Sequence, residues 1–395
     1  MRYEAYDRLL SCETFAPMAN QDPKLLRDQV ANLVSVSGER FRYTLGPQLV
    51  QLAREILQPV ESSVHRLPRS WKLANYSYGQ FQDIASTLRA IAFTHFLARS
   101  IAAAKGCIGM GVRDAVLIMS QEELSARLRR YTKIPIATIE DVISDLTFGN
   151  AGINFPDPAL QPLVQLTHDK IAICPSLWMS IDAERNFCVL CNRMPHTRQL
   201  YSTLSEDRSK LMCERLRTDL ASTGFRFWSG GIPGHPELPD VDLAIISESD
   251  NICFVIELKS YIEPAEPREI QDRSKEIAKG ISQAKLLRQF QIHNPERFRS
   301  LLGIGPEASC QFLVASDNSI GAHHVQDLAV PVVNASNLVR RLLSEGAFAT
   351  SQWLTDQNYL PILGKHFEVI SVENRVDGKT LNWYGIKPLI QNLFY

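Results

Sequence analysis

PDVDLAIISESDNICFVIELKS, residues Pro239 to Ser260, reads as two apolar strands joined by a polar turn. Yet the first strand carries Asp242 and the second both Glu257 and Lys259. A strand buried between layers is nearly continuous in Val, Ile and Leu, and a charge placed there needs a partner, a metal or a task. Strand side chains alternate between faces. In the second strand Phe254, Ile256 and Leu258 share one face, and Cys253, Val255, Glu257 and Lys259 share the other. Glu257 and Lys259 therefore project together, about 7 Å apart along the strand. Asp242 shares a face with Ala244 and Ile246. With Glu248 to Asn251 as a four-residue loop, Ser247 pairs with Ile252 and Asp242 falls opposite Glu257. Their Cβ atoms would then be about 5 Å apart.

Two carboxylates in that relation repel unless a cation sits between them. A hard divalent ion with oxygen ligands resolves the conflict. Mg²⁺ suits a site with few carboxylates and several waters, and Mn²⁺ accepts the same ligands. A lysine beside such a site can hold the attacking water and stabilise developing phosphate charge. The plainer alternative is a structural ion pair at the end of a sheet, but buried pairs are a weak route to stability.

Pro239-Asp240, Asp242 and Glu257-Leu258-Lys259 together resemble the PD-(D/E)XK nuclease superfamily, over a region from Thr203 to Leu343. The resemblance implies that Asp242 and Glu257 ligate Mg²⁺, that the Leu258 carbonyl adds a ligand, and that Lys259 works on the attacking water. Members often take one more acid from the preceding helix, and Glu214 stands at that place. Many add a Gln or Lys from the following helix. Gln283 looks like that residue, with Lys279 one turn earlier on the same face. Either Asp240 or Asp242 can be the metal-binding aspartate; strand register favours Asp242. The implied function is Mg²⁺-dependent hydrolysis of phosphodiester bonds, with DNA favoured over RNA, in antiviral defence, restriction or repair. The alternative is a catalytically inactive nuclease-fold scaffold or a nucleic-acid-binding subunit of a larger complex. The expected fold is a restriction-endonuclease-like mixed α/β sheet flanked by helices.

Upstream, the pattern divides the chain further, into a helical domain over residues 1–111 and a mixed module over 112–200, ahead of the nuclease-like domain and its extension over 201–395. Phe81, Ile84, Leu88 and Ile91 mark a long helix from Tyr78 to Lys105. Ser120 and Glu123 form a capping-box pattern that opens a helix, and Thr138 with Asp141 are placed to open a second. PLVQLTHDKIAIC reads as a hairpin, which completes a winged-helix-like sketch. Its second helix carries Glu140, Asp141 and Asp145, the wrong sign for phosphate. Arg127, Arg129, Arg130 and Lys133 lie on or after the first helix instead. Packing or contact with a protein partner is the reading this charge pattern favours. Thr203 with Glu206 can cap the helix that carries Met212, Leu216 and Leu220. A further long helix is expected from Glu266 to Phe290.

Lys+Arg 42 against Asp+Glu 43 leaves a formal net charge of −1, so any nucleic-acid surface must be local. No stretch reads as a signal peptide or a membrane span, and the eight scattered cysteines point to a reducing cytoplasm. Cys188 and Cys191 lack a second pair, so a structural role outweighs zinc binding, even with His196 nearby. Gly378-Lys379-Thr380 lacks the leading glycine of a P-loop. His235 is read as a loop histidine instead of a ligand.

Overall fold

The fold was taken from a computed structural model that describes residues 23–389, apart from 65–67, 108–111, 151, 207, 263–266, 318–320, 322, 361, 366 and 377. Cys12 and Glu266 lie outside the described residues. The chain forms two compact units, one up to Ser205 and one from Glu206.

The first unit contains α1 (Pro23–Leu33), β1 (Ser35–Ser37), β2 (Arg40–Arg42), α2 (Pro47–Val64), β3 (Lys72–Leu73), β4 (Tyr76–Ser77) and α3 (Tyr78–Ala104). After these come β5 (Leu117–Ser120), α4 (Gln121–Thr132), α5 (Ile136–Leu146), β6 (Leu163–Thr167), β7 (Lys170–Ile173), α6 (Pro175–Ser180), α7 (Ala183–Arg193) and α8 (Arg198–Glu206). A capping box opens α3, with Ser77 Oγ accepting from Gln80 N–H and Gln80 Oε1 from Ser77 N–H. Its Phe81, Ile84, Leu88 and Ile91 are buried. Helix α3 packs against α2 before residue 111 and against α4 and α6 after it. The two modules expected at 1–111 and 112–200 are thus one unit, because its longest helix is the shared core element.

Three further expectations need correction. Helix α5 begins at Ile136, after Pro135, whose φ of −57° is set for a helix start, so Thr138 lies inside it. Asp145 is not on the outer face of α5. It is buried, and Tyr76 Oη donates to its Oδ2 at 2.6 Å. Thr203 is also interior to a helix, bonding back to Gln199 O at 3.2 Å. Strands β5, β7 and β6 form an antiparallel sheet in that order. Its Met119, Leu163, Ile171 and Ile173 are buried.

The second unit opens with α9 (Arg208–Asp219), followed by β8 (Arg226–Gly230), β9 (Val241–Ser247), β10 (Ile252–Lys259), α10 (Pro267–His293) and α11 (Pro295–Leu302). It continues with β11 (Ser309–Ser316), β12 (Val332–Asn334), α12 (Ala335–Thr355), β13 (Phe367–Val376) and β14 (Lys379–Pro388). Five strands form one mixed sheet in the order β12-β11-β10-β9-β8. Strands β8, β9 and β10 run antiparallel, and β10, β11 and β12 run parallel. Period-two alternation sorts the core into two layers. Leu243, Ile245, Phe254, Ile256 and Leu258 meet α9 and α12 through Met212, Leu216 and Leu338. Ala244, Ile246, Cys253 and Val255 meet α10 and α11 on the other face, through Leu287, Phe290 and Phe298. The result is a mixed sheet flanked by helices. The Gly378 turn (φ +73°) joins β13 to β14, which explains why Gly378-Lys379-Thr380 is not a phosphate loop. Among the described residues no helix is long and apolar enough to cross a membrane.

Candidate active site at the end of the central strands

The β9–β10 hairpin has the expected register, with Ser247 opposite Ile252 and Leu243 opposite Ile256. One step further the ladder ends, and Asp242 and Glu257 take over. Asp242 Oδ2 accepts the Leu258 N–H at 2.8 Å, a bond that fixes the carboxylate against the tip of β10. Lys259 Nζ donates to Glu257 Oε1 at 2.7 Å and to Gln283 Oε1 at 3.1 Å. Glu257 is 4% exposed and the Lys259 side chain 15%. Two of the three ammonium hydrogens are used, and one is left for another acceptor.

Burial, followed by the nearby Asp242 charge, pushes the Glu257 carboxyl up from 4.5 to about 7, against the opposing pull of Lys259 and Lys279. Burial also raises Asp242, opposed by the Leu258 N–H and Lys259. The Asp242 charge raises Glu257, and the Asp240 charge in turn raises Asp242. The acid thus ionises near pH 4.5 in the unfolded chain and near 7 in the folded one. As pH rises the unfolded chain loses its proton first, so the folded state binds more protons across this window and stability falls through it. Glu257→Gln, which mimics the protonated form, should therefore stabilise the metal-free protein above neutral pH. The gain should be about 3 kcal/mol and vanish below about pH 4.5. Urea unfolding across that range checks this.

The structure brings Gln283 to the pair. Glu214 is exposed on α9, and among the described residues no third acid groups with Asp242 and Glu257 to hold a metal ion. The neighbouring Arg215 instead ion-pairs with Asp317 at the end of β11. Asp317 also accepts from Ser260 Oγ at 2.9 Å and donates its N–H to Lys259 O at 3.0 Å. The Arg215–Asp317 pair therefore ties α9 to the tip of β10. Arg215→Ala would leave the 5%-exposed Asp317 side chain without its guanidinium. A loss of about 3 kcal/mol is expected, read as a lower urea midpoint with an unchanged slope.

Helix α10 lies very close to the pair at Gly280. A Cβ there would stand 2.8 Å from Lys259 Cε and 3.3 Å from Glu257 Cγ. Sequence reasoning missed both Gly280 and Asp317. The available signals were a glycine inside a helical pattern, which signals close packing, and an aspartate at the end of an apolar strand.

His235 is not at the pair. Its Nδ1 meets Glu237 at 2.8 Å and its Nε2 meets Arg297 at 2.9 Å. Cys188 and Cys191 are buried on α7, and His196 faces Asp145 at 3.3 Å. Among the described residues no group of three or more His, Cys, Asp or Glu side chains could hold a metal ion. The strand tips present two carboxylates, Asp242 against the Leu258 N–H and Glu257 against the Lys259 ammonium. Burial first, and the Asp242 charge second, raise the Glu257 carboxyl, and a cation bound there would oppose both. No protein-family model, curated protein or solved structure matches this chain.

Proposed function

We propose that the second unit is a Mg²⁺-dependent nuclease of the PD-(D/E)XK type, hydrolysing phosphodiester bonds in DNA. The observation that carries this reading is the Lys259 ammonium, bonded to Glu257 and Gln283 beside a carboxylate pair at the end of the central strands. Asp242 and Glu257 would hold the ion, with the Leu258 carbonyl as the third ligand. When bound, Mg²⁺ supplies positive charge for the scissile phosphate and makes water a better nucleophile. Lys259 positions the water and offers its remaining N–H to a non-bridging phosphate oxygen. Gln283 fixes the direction of that ammonium. In-line attack forms one P–O bond and breaks the bond to the leaving 3′ oxygen; the attacking water releases a proton to solvent and the 3′ oxygen takes one from it.

In the first unit, the strand, two helices and hairpin from β5 to β7 support a winged-helix-like reading. A role in defence, restriction or repair, within a reducing cytoplasm, is the setting we propose. Cleavage of plasmid, linear duplex, single-stranded DNA and RNA, with and without Mg²⁺, tests the activity and its substrate. The rival is an inactive scaffold, favoured by the short acidic donor set once Glu214 is set aside. Absence of cleavage on every substrate with Mg²⁺ or Mn²⁺ would leave the scaffold ahead.

A further inference from the structure

The last turn of helix α4 carries Arg129 and Arg130, and Lys133 follows the helix; all three are exposed. Strand β2 exposes Arg40 and Arg42. The chain after β2 runs beside α4. Tyr131 Oη, on α4, donates to Leu45 O at 3.2 Å. The Arg127 guanidinium is close enough to Tyr43 to oppose the burial that raises its phenol. Between the two β2 arginines, Phe41 turns inward and lies against Tyr43 and His95, with ring centroids 6.1 and 5.9 Å away. Strand alternation then points Arg40 and Arg42 outward.

The charges on this surface are unspent. Arg127 is neutralised by Glu123 at 2.6 Å. Among the described residues, none of Arg40, Arg42, Arg129, Arg130 and Lys133 has a carboxylate partner. Two cations in the last turn of a helix complement its dipole. Five from two elements exceed that need, in a chain whose formal net charge is −1. Helix α5 is unsuited to phosphate, since Glu140 is exposed on it and Asp141 partly so.

We propose that the end of α4 and the outer face of β2 form a binding surface for the phosphate backbone of duplex nucleic acid. The choice of partner rests on the nuclease reading above. Contacts of this kind position a duplex without reading its bases. Affinity should therefore be independent of sequence and fall steeply with salt.

The test is fluorescence anisotropy of the full-length chain with a fluorescein-labelled DNA duplex. EDTA is present, so binding is read without cleavage. The triple variant R129Q/R130Q/K133Q should bind at least about tenfold more weakly at moderate salt, and its salt slope should drop by roughly three. R40Q/R42Q should lower the slope by about two. The double variant R129K/R130K, which keeps the charge, should bind like the natural chain. Circular dichroism and thermal melting establish that each variant is folded. Wild-type affinity in the glutamine variants would overturn the proposal, as would failure of the natural chain to bind duplex at low salt. Salt-sensitive binding through these cations without any cleavage would refute the nuclease reading and leave this surface standing. Cleavage that is indifferent to all five cations would do the reverse.

Discussion

Lys259→Ala should reduce cleavage by about 10³-fold while Mg²⁺ affinity stays level or rises slightly. Lys259 Nζ sits 2.7 Å from Glu257 Oε1, so its removal takes a positive charge from beside the proposed cation site. A divalent ion then meets less repulsion. What is lost is the group proposed to place the water and meet the phosphate. Lys259 also holds the Glu257 carboxyl down, so without it the acid keeps its proton to higher pH. The comparison therefore belongs at about pH 8, where proton competition with the ion is small. Asp242→Asn should behave differently and lose both cleavage and Mg²⁺ binding, because it removes one of two negative ligands. Calorimetric Mg²⁺ titration beside a plasmid-nicking assay separates the two effects. Full nicking by both variants would mean that the β9–β10 tips are not the active site.

Gly280→Ala should lower turnover by about 10²-fold without destabilising the protein. The new Cβ would fall 2.8 Å from Lys259 Cε, a distance that something must relieve. The atom in the way is the far end of a flexible side chain, so relief is energetically cheap. Alanine also favours the helix by about 1 kcal/mol over glycine. Stability should thus stay level or rise. The atom that moves, however, carries the ammonium that Glu257 and Gln283 hold in place. The expected signature is a lower kcat with little change in KM, together with an unchanged or higher melting temperature. Loss of folding would assign Gly280 a packing role alone. Unaltered kcat would show that Lys259 tolerates displacement.

Much of the hairpin is legible in the residues alone. The alternation in β9 and β10 and the four-residue turn are local properties, and they set the register that places Asp242 beyond the Leu243–Ile256 pair. Met212, Leu216 and Leu220 repeat at helical spacing, and their burial follows from that period. Helix starts are less legible. Thr138 and Thr203 have cap chemistry, yet both lie inside helices, since Pro135 and the segment from Arg198 begin those helices earlier.

The sequence by itself determined the two strands, their register and the pairing of Glu257 with Lys259 on one face, because these depend on neighbours within about twenty residues. Only the tertiary structure decided which distant groups reach that face. Helix periodicity identifies a buried stripe, but it does not decide whether Glu214 or Arg215 beside the stripe looks toward the strand tips. That depends on how α9 rotates against the sheet, and the rotation gave Arg215 to Asp317, 102 positions away. Likewise, the need for Gly280 arises from the distance between α10 and β10, which packing sets and which no local pattern records.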